Sequence, residues 1–78
     1  MTVGVKEVQD LVAVQLGRRR VAAEDRLLED LGARSLDQVN VVAALEDRYG
    51  IEIGEHELPD LRTVADLHRC VLRHLGEE

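Results

Sequence analysis

The 78 residues carry 16 acidic against 10 basic side chains, a formal charge of −6 and a pI near 5.0. A chain of this length buries only about 60% of the surface its unfolded form exposes, which leaves one thin core, no second domain and no deep, walled catalytic cavity. The acidic balance excludes a binder of nucleic-acid backbones and suits encounters with positively charged protein partners, and with one Tyr and neither Phe nor Trp the core falls to twelve Leu, eleven Val and two Ile.

Val5, Val8, Leu11, Val12 and Leu16 recur at steps of three and four, which predicts a helix over 5–16. Gly17 ends it, and Arg18, Arg19 and Arg20 just behind complement the negative end of its dipole. Residues 18–34 show no period. Leu27, Leu28 and Leu31 are their apolar anchors, so the stretch reads as a long loop pinned to the core, and loops of that length are often functional. A second helix is expected to start at Ser35, with Gln38 three residues on as its capping-box partner. Its inward stripe is Val41, Val42, Leu45 and Tyr49, with Asp37, Asn40, Ala43, Ala44 and Asp47 on other faces, and Gly50 stops it. Ile51-Glu52-Ile53 alternates over too few residues for a sheet, and a short turn over 55–61 contains Pro59. Thr63 caps the last helix with Asp66 three residues on. The stripe there is Val64, Leu67, Val71 and Leu75, with Leu72 alongside and Gly76 closing it. The expected fold is all-α: a small bundle of three main helices plus one short helix, a single domain over 1–78 with no internal repeat.

One cysteine forms no internal disulfide. No uncharged apolar run approaches the roughly 20 residues of a membrane helix. Residues 1–6 lack the basic start, apolar middle and cleavage site of a signal peptide, so a cytoplasmic protein that meets no membrane is expected. His56, His68 and His74 are scattered, and only Cys70 and His74 share a helix face at i, i+4. Two ligands do not close a zinc site, which wants four. The same pair lacks the third, orienting group of a Cys–His nucleophile. No metal ligand and no catalytic residue are therefore expected, with Cys70 half-buried beside a solvated His74. Gly32 stands alone, so no phosphate-cradling loop is present. Glu29, Asp30, Asp37, Glu46, Asp47, Glu52, Glu55 and Glu57 read as a solvated face and a partner-facing field rather than paired catalytic carboxylates. As a helix cap alone, Ser35 needs no further role; replacing such a cap by Ala typically costs about 1 kcal/mol.

The run Leu27-Leu28-Glu29-Asp30-Leu31-Gly32-Ala33-Arg34-Ser35-Leu36-Asp37 gives Ser35 a second reading. It resembles acyl carrier proteins, in which Glu-Asp-Leu-Gly-Ala-x-Ser-Leu-Asp surrounds the serine that receives 4′-phosphopantetheine. The likeness extends to Gln15-Leu16-Gly17, to Ala44-Leu45-Glu46-Asp47 and to Thr63-Val64-Ala65-Asp66-Leu67. It implies an acyl-carrier-like four-helix bundle that is not an enzyme. Ser35 would hold the arm, taken from coenzyme A, and the thiol at its tip would carry acyl groups as thioesters; Cys70 is not that thiol. A phosphodiester on Ser35 would sit at the positive end of a helix dipole, and the reactive chemistry would belong to the cofactor. The implied partners of this monomeric carrier are a phosphopantetheinyl transferase and acyltransferase, ketosynthase or adenylating enzymes with basic patches. Leu36 lies opposite the inward stripe, and the expected docking face joins it to Arg34, Asp37, Asn40, Ala43, Glu46 and Asp47.

The chain departs from the family pattern in two places: Arg34 stands where the family usually has Asp, and Asn40 where an acid is common. Both thin the negative field and point to a dedicated pathway, such as polyketide or related secondary metabolism, rather than housekeeping fatty-acid synthesis. Two other readings stay open. An aminoacyl or peptidyl carrier would share the serine and fold but more often shows Gly-Gly-His/Asp-Ser; a helical adaptor would use Ser35 only as a cap.

Overall fold

The computed structural model describes residues 2–77; Met1 and Glu78 lie outside the described residues. The chain runs through α1 (Val5–Gln15), α2 (Ser35–Tyr49), a 3-10 helix (Glu55–Asp60) and α3 (Val64–Leu75), with no strand among the described residues. The all-α expectation holds. α1 ends one residue earlier than its periodicity suggested, because Leu16 takes the C-cap and Gly17 turns the chain at φ +66°.

The stripes converge on one aliphatic core. Val8, Val12, Val41, Leu45, Val64, Leu67, Cys70 and Val71 are fully buried, each large aliphatic contributing about 1.5–3 kcal/mol of burial. α1 packs against both α2 and α3. It runs antiparallel to them. Glu7, in its first turn, accepts a hydrogen bond from Tyr49 Oη at the end of α2 (3.3 Å), and Val3 N donates to Glu77 beyond the end of α3 (3.2 Å). The N-termini of α2 and α3 therefore share one end of the bundle.

The stretch over 18–34 is a fastened loop. Leu27 N donates to Arg62 O (2.8 Å), Val64 N to Asp25 O (3.1 Å) and Ala65 N to Ala23 O (2.7 Å), tying the loop to the start of α3. Gln9 Nε2 donates to Val21 O at 2.8 Å and holds its first part against α1. Its apolar anchors are Val21, Leu27, Leu31 and Ala33, all buried. Leu28, expected among the anchors, is instead 60% exposed. Adjacent residues in a turn cannot both face the core, and Leu27 takes the inward position.

α3 begins as its sequence indicated. Thr63 Oγ1 accepts from Asp66 N at 3.1 Å while Asp66 Oδ2 accepts from Thr63 N at 3.0 Å, a reciprocal capping box. α2 does not. Its N-cap is Arg34, and the partner three residues on is Asp37, whose Oδ2 accepts from Arg34 N at 2.9 Å. Ser35 is already inside the helix, and Gln38 turns its amide away to Leu58 O and Leu61 O (both 3.4 Å). The Ser35–Gln38 capping box is thus corrected to a half-box one residue earlier, in which the acid serves the cap but arginine, having no acceptor, cannot reciprocate.

Candidate functional site

Ser35 opens α2 and is exposed. Two local features put it there. Gly32, at φ +65°, takes the left-handed conformation that lets the loop reverse out of the turn holding Leu31. Ala33, buried behind it and donating its N–H to Leu27 O at 2.8 Å, fixes the level at which the helix starts. No side chain caps this helix, so the amides of its first turn stay open toward solvent. An exposed hydroxyl at an uncapped positive helix end fits a covalent phosphodiester.

Beside the first turn of α2 lies an open cleft of about 370 Å³ lined by Leu27, Leu28, Glu29, Gln38, Leu58, Pro59, Leu61 and Arg62. It separates the loop from the 3-10 helix. Gln38 lines it from one turn along α2, where its bonds to Leu58 O and Leu61 O anchor the opposite wall.

The residues expected on the docking face share the outer side of α2 but differ in availability. Leu36 is 71% exposed, and Arg34, Asn40, Ala43 and Asp47 are exposed too. Asp37 and Glu46 are half-buried and already engaged, Asp37 with Arg34 N and Glu46 Oε2 with Ile53 N at 2.7 Å. Val39 and Leu28, both exposed apolar residues, were missed as candidates. Val39 follows Leu36 at i+3 on a face that carries no core residue, which is the signal that could have found it.

Cys70 and His74 also need correction. Cys70 is fully buried rather than half-buried, and His74 is not merely solvated. Glu57 of the 3-10 helix reaches between them, with Cys70 Sγ 3.5 Å and His74 Nε2 3.1 Å from Oε1, and His74 Nε2 2.9 Å from Oε2. Gly54 N donates to Oε2 (3.0 Å) and Arg73 Nη2 to Oε1 (3.1 Å). Glu57, read as part of a solvated face, is therefore the hub of a cluster. Partial burial opposes its ionisation, but the Gly54 amide, His74, Arg73 and Cys70 outweigh that and lower its pKa to about 2. Burial, reinforced by the neighbouring carboxylate, pushes the Cys70 thiol up to about 11. A thiol so disfavoured as thiolate is no nucleophile at neutral pH.

The relatives agree with this architecture. The sequence profile described as phosphopantetheine attachment site matches residues 6–71. An acyl carrier protein of Campylobacter hominis is 42% identical over 64 residues, covering 80% of this chain and 81% of that one. The acyl carrier protein of Thermotoga maritima superposes with a TM-score of 0.75 at 27% identity, over 91% of this chain and 85% of that one. A chain in the solved structure of the ishigamide ketosynthase/chain length factor gives 0.75 at 26% identity, over 92% and 93%. The oxytetracycline acyl carrier protein, 21% identical with a TM-score of 0.76 over 97% and 85%, shares the fold. Together these define the class as a phosphopantetheine-binding carrier domain. Within it, the chain belongs to the acyl carrier protein family. It is a carrier and not an enzyme, and its working group is a covalent 4′-phosphopantetheine. No helix among the described residues is long and apolar enough to cross a membrane.

Proposed function

We propose that Ser35 holds the 4′-phosphopantetheine arm and that residues 1–78 act as one cytoplasmic carrier domain, passing acyl thioesters between the enzymes of a polyketide or related secondary pathway. The observation that carries the attachment site is the exposed Ser35 at the uncapped start of α2, within the run Glu29-Asp30-Leu31-Gly32-Ala33-Arg34-Ser35-Leu36-Asp37. The arm supplies the thiol; the chain presents and steers it. The helix dipole favours the phosphodiester by about 0.3–1 kcal/mol, and the adjacent Arg34 adds a positive charge where the family usually has a negative one. The cleft walled by Leu28, Leu58, Pro59 and Leu61 offers apolar surface within reach of the arm's root.

The docking partners would be a phosphopantetheinyl transferase and acyl-transferring, ketosynthase-type or adenylating enzymes. They would meet an apolar knob of Leu36 and Val39 with Leu28 nearby, edged by Arg34, Asn40, Ala43 and Asp47. Charge there serves encounter rate and partner choice more than affinity. Arg34 and the likeness to a chain of the ishigamide ketosynthase/chain length factor structure support the dedicated-pathway reading.

Intact mass after incubation with coenzyme A and a phosphopantetheinyl transferase tests the attachment. The wild type gains one phosphopantetheine and Ser35→Ala gains none; arm transfer to Ser35→Ala, or to neither protein with several transferases, would sink the assignment. Turnover by primary fatty-acid synthase enzymes at full efficiency would overturn the pathway reading.

A further inference from the structure

We propose that Glu57, Cys70 and His74 form a zinc site that staples the 3-10 helix to α3, built without Ser35 and independent of the arm's attachment. A carboxylate oxygen, a sulfur and an imidazole nitrogen from these residues lie within 4.8 Å of one another. Their spacing matches a metal's coordination shell. Zinc bonds of about 2.3 Å to sulfur and about 2.0–2.1 Å to nitrogen and oxygen, arranged tetrahedrally, put sulfur and oxygen about 3.5 Å apart and nitrogen and oxygen about 3.3 Å apart. Cys70 Sγ stands 3.5 Å from Glu57 Oε1, and His74 Nε2 stands 3.1 Å from the same oxygen. Only the sulfur–nitrogen edge has to close. The His74 side chain, 25% exposed in the last turn of α3, has room to make that move.

The surroundings suit a cation as well as the distances do. Gly54 N holds the other carboxylate oxygen and Arg73 holds Oε1, the kind of outer partner that orients a ligating carboxylate. On binding, the Cys70 S–H bond breaks and an S–Zn bond forms. The proton leaves to solvent, zinc sheds water, and nothing is oxidised or reduced. Thiolate and carboxylate then neutralise Zn²⁺ with His74 uncharged, so Arg73 faces a neutral complex rather than a second cation. A shallow recess of about 190 Å³ lined by Glu57, Arg73 and His74 leaves the fourth position to water. The i, i+4 pair on α3 is thus completed by a residue that sequence order places 13 positions before Cys70.

The test uses Co²⁺ as a spectroscopic probe for Zn²⁺, on the arm-bearing protein and on the Ser35→Ala variant of the same 78 residues, in which Cys70 is the sole thiol. Ser35→Ala is expected to bind one Co²⁺ with a thiolate-to-cobalt charge-transfer band and tetrahedral visible bands. Added Zn²⁺ should bleach both, with about one proton released per metal bound. Cys70→Ala should abolish the charge-transfer band, and His74→Ala and Glu57→Gln should each weaken binding by at least about 10–100-fold. A band seen only in the arm-bearing protein would assign the metal to the arm's thiol and overturn the proposal. So would the absence of a band in Ser35→Ala, or affinity unchanged in His74→Ala and Glu57→Gln.

Discussion

Replacing Arg34 by aspartate should stabilise the fold. Arg34 is the N-cap of α2 and makes no side-chain hydrogen bond to it, while its own N–H is held by Asp37 at 2.9 Å. Aspartate at that position would accept from the Asp37 amide and complete the box that arginine leaves half-made. A good N-cap contributes about 0.5–2 kcal/mol relative to a residue that cannot cap. Exchanging a positive for a negative charge at the positive helix end adds about 0.3–1 kcal/mol. Against this stands repulsion between the new carboxylate and Asp37, about 0.8 kcal/mol for charges roughly 5 Å apart in water. The balance is a gain of about 1 kcal/mol, or a rise in Tm of about 4–8 °C for a domain this small. Thermal and urea denaturation of the unprimed protein at pH 7 read it directly. Arg34→Ala separates the parts: it relieves the charge without supplying an acceptor and should gain only a few tenths. High salt should erase the dipole share and leave the capping share. Equal stability of Arg34→Asp and Arg34→Ala at high salt would refute the account of an uncapped first turn.

Ser35→Ala should leave stability within about 0.5 kcal/mol of wild type, because Ser35 lies inside the helix and caps nothing; a loss near 1 kcal/mol by urea denaturation would restore it as a cap. Thr63→Ala should cost about 1 kcal/mol in the same assay, since its hydroxyl holds Asp66 N at 3.1 Å. At Asp66 burial opposes ionisation, but the Thr63 and Arg62 amides, the Thr63 hydroxyl and Arg69 outweigh it, so its pKa is lowered below the ordinary 3.8. That contribution is present above pH 3.8 and lost as pH falls through the folded value, so urea midpoints across the acid range should fall less steeply in Asp66→Asn than in wild type. Gly32→Ala should cost about 1–2 kcal/mol: nothing lies within 4 Å of an added Cβ, so the whole penalty is the left-handed backbone at φ +65°.

What the sequence made legible was local. The α1 and α3 stripes, each a single apolar face with glycine behind it, placed both helices to within a residue. The Thr63–Asp66 cap was readable because donor and acceptor stand three residues apart. The same kind of signal misled at α2, where Ser35-x-x-Gln38 and Arg34-x-x-Asp37 compete in adjacent registers. The one with the weaker-looking cap prevails, since an N-cap is defined by backbone and Asp37 alone can satisfy it. Leu28 and Leu27 were indistinguishable by type, and only the turn decides between them. The cluster at Glu57 was hidden for a different reason: Cys70 and His74 share a helix, but their third member arrives through tertiary packing from the 3-10 helix. The trace it left was Gly54-x-x-Glu57, a spacing at which the carboxylate folds back to the Gly54 amide at 3.0 Å.

The charge of −6 takes on a different meaning once the carboxylates are followed to their partners. Asp25, Asp30, Asp37, Glu46, Glu57, Asp66 and Glu77 each accept a backbone N–H. The chain has a single Ser, a single Asn and two Thr, the residues that ordinarily satisfy turn and helix-end amides. Acids fill that role here, so much of the acidic composition serves the fold before it serves any partner. The consequence is sharpest on α2, where Asp37 and Glu46 are committed to Arg34 N and Ile53 N. Of the acids on the proposed docking face only Asp47 is left fully exposed, beside an apolar surface of Leu36 and Val39. A docking face with so little uncommitted charge would discriminate among enzymes chiefly by the fit of its apolar knob and by Arg34, with long-range attraction the lesser part. At α2 the acid three residues further on holds the Arg34 N–H whichever side chain stands at the cap, so replacing the usual aspartate before the serine leaves the Asp37 amide without a side-chain cap and costs only a fraction of the fold's stability.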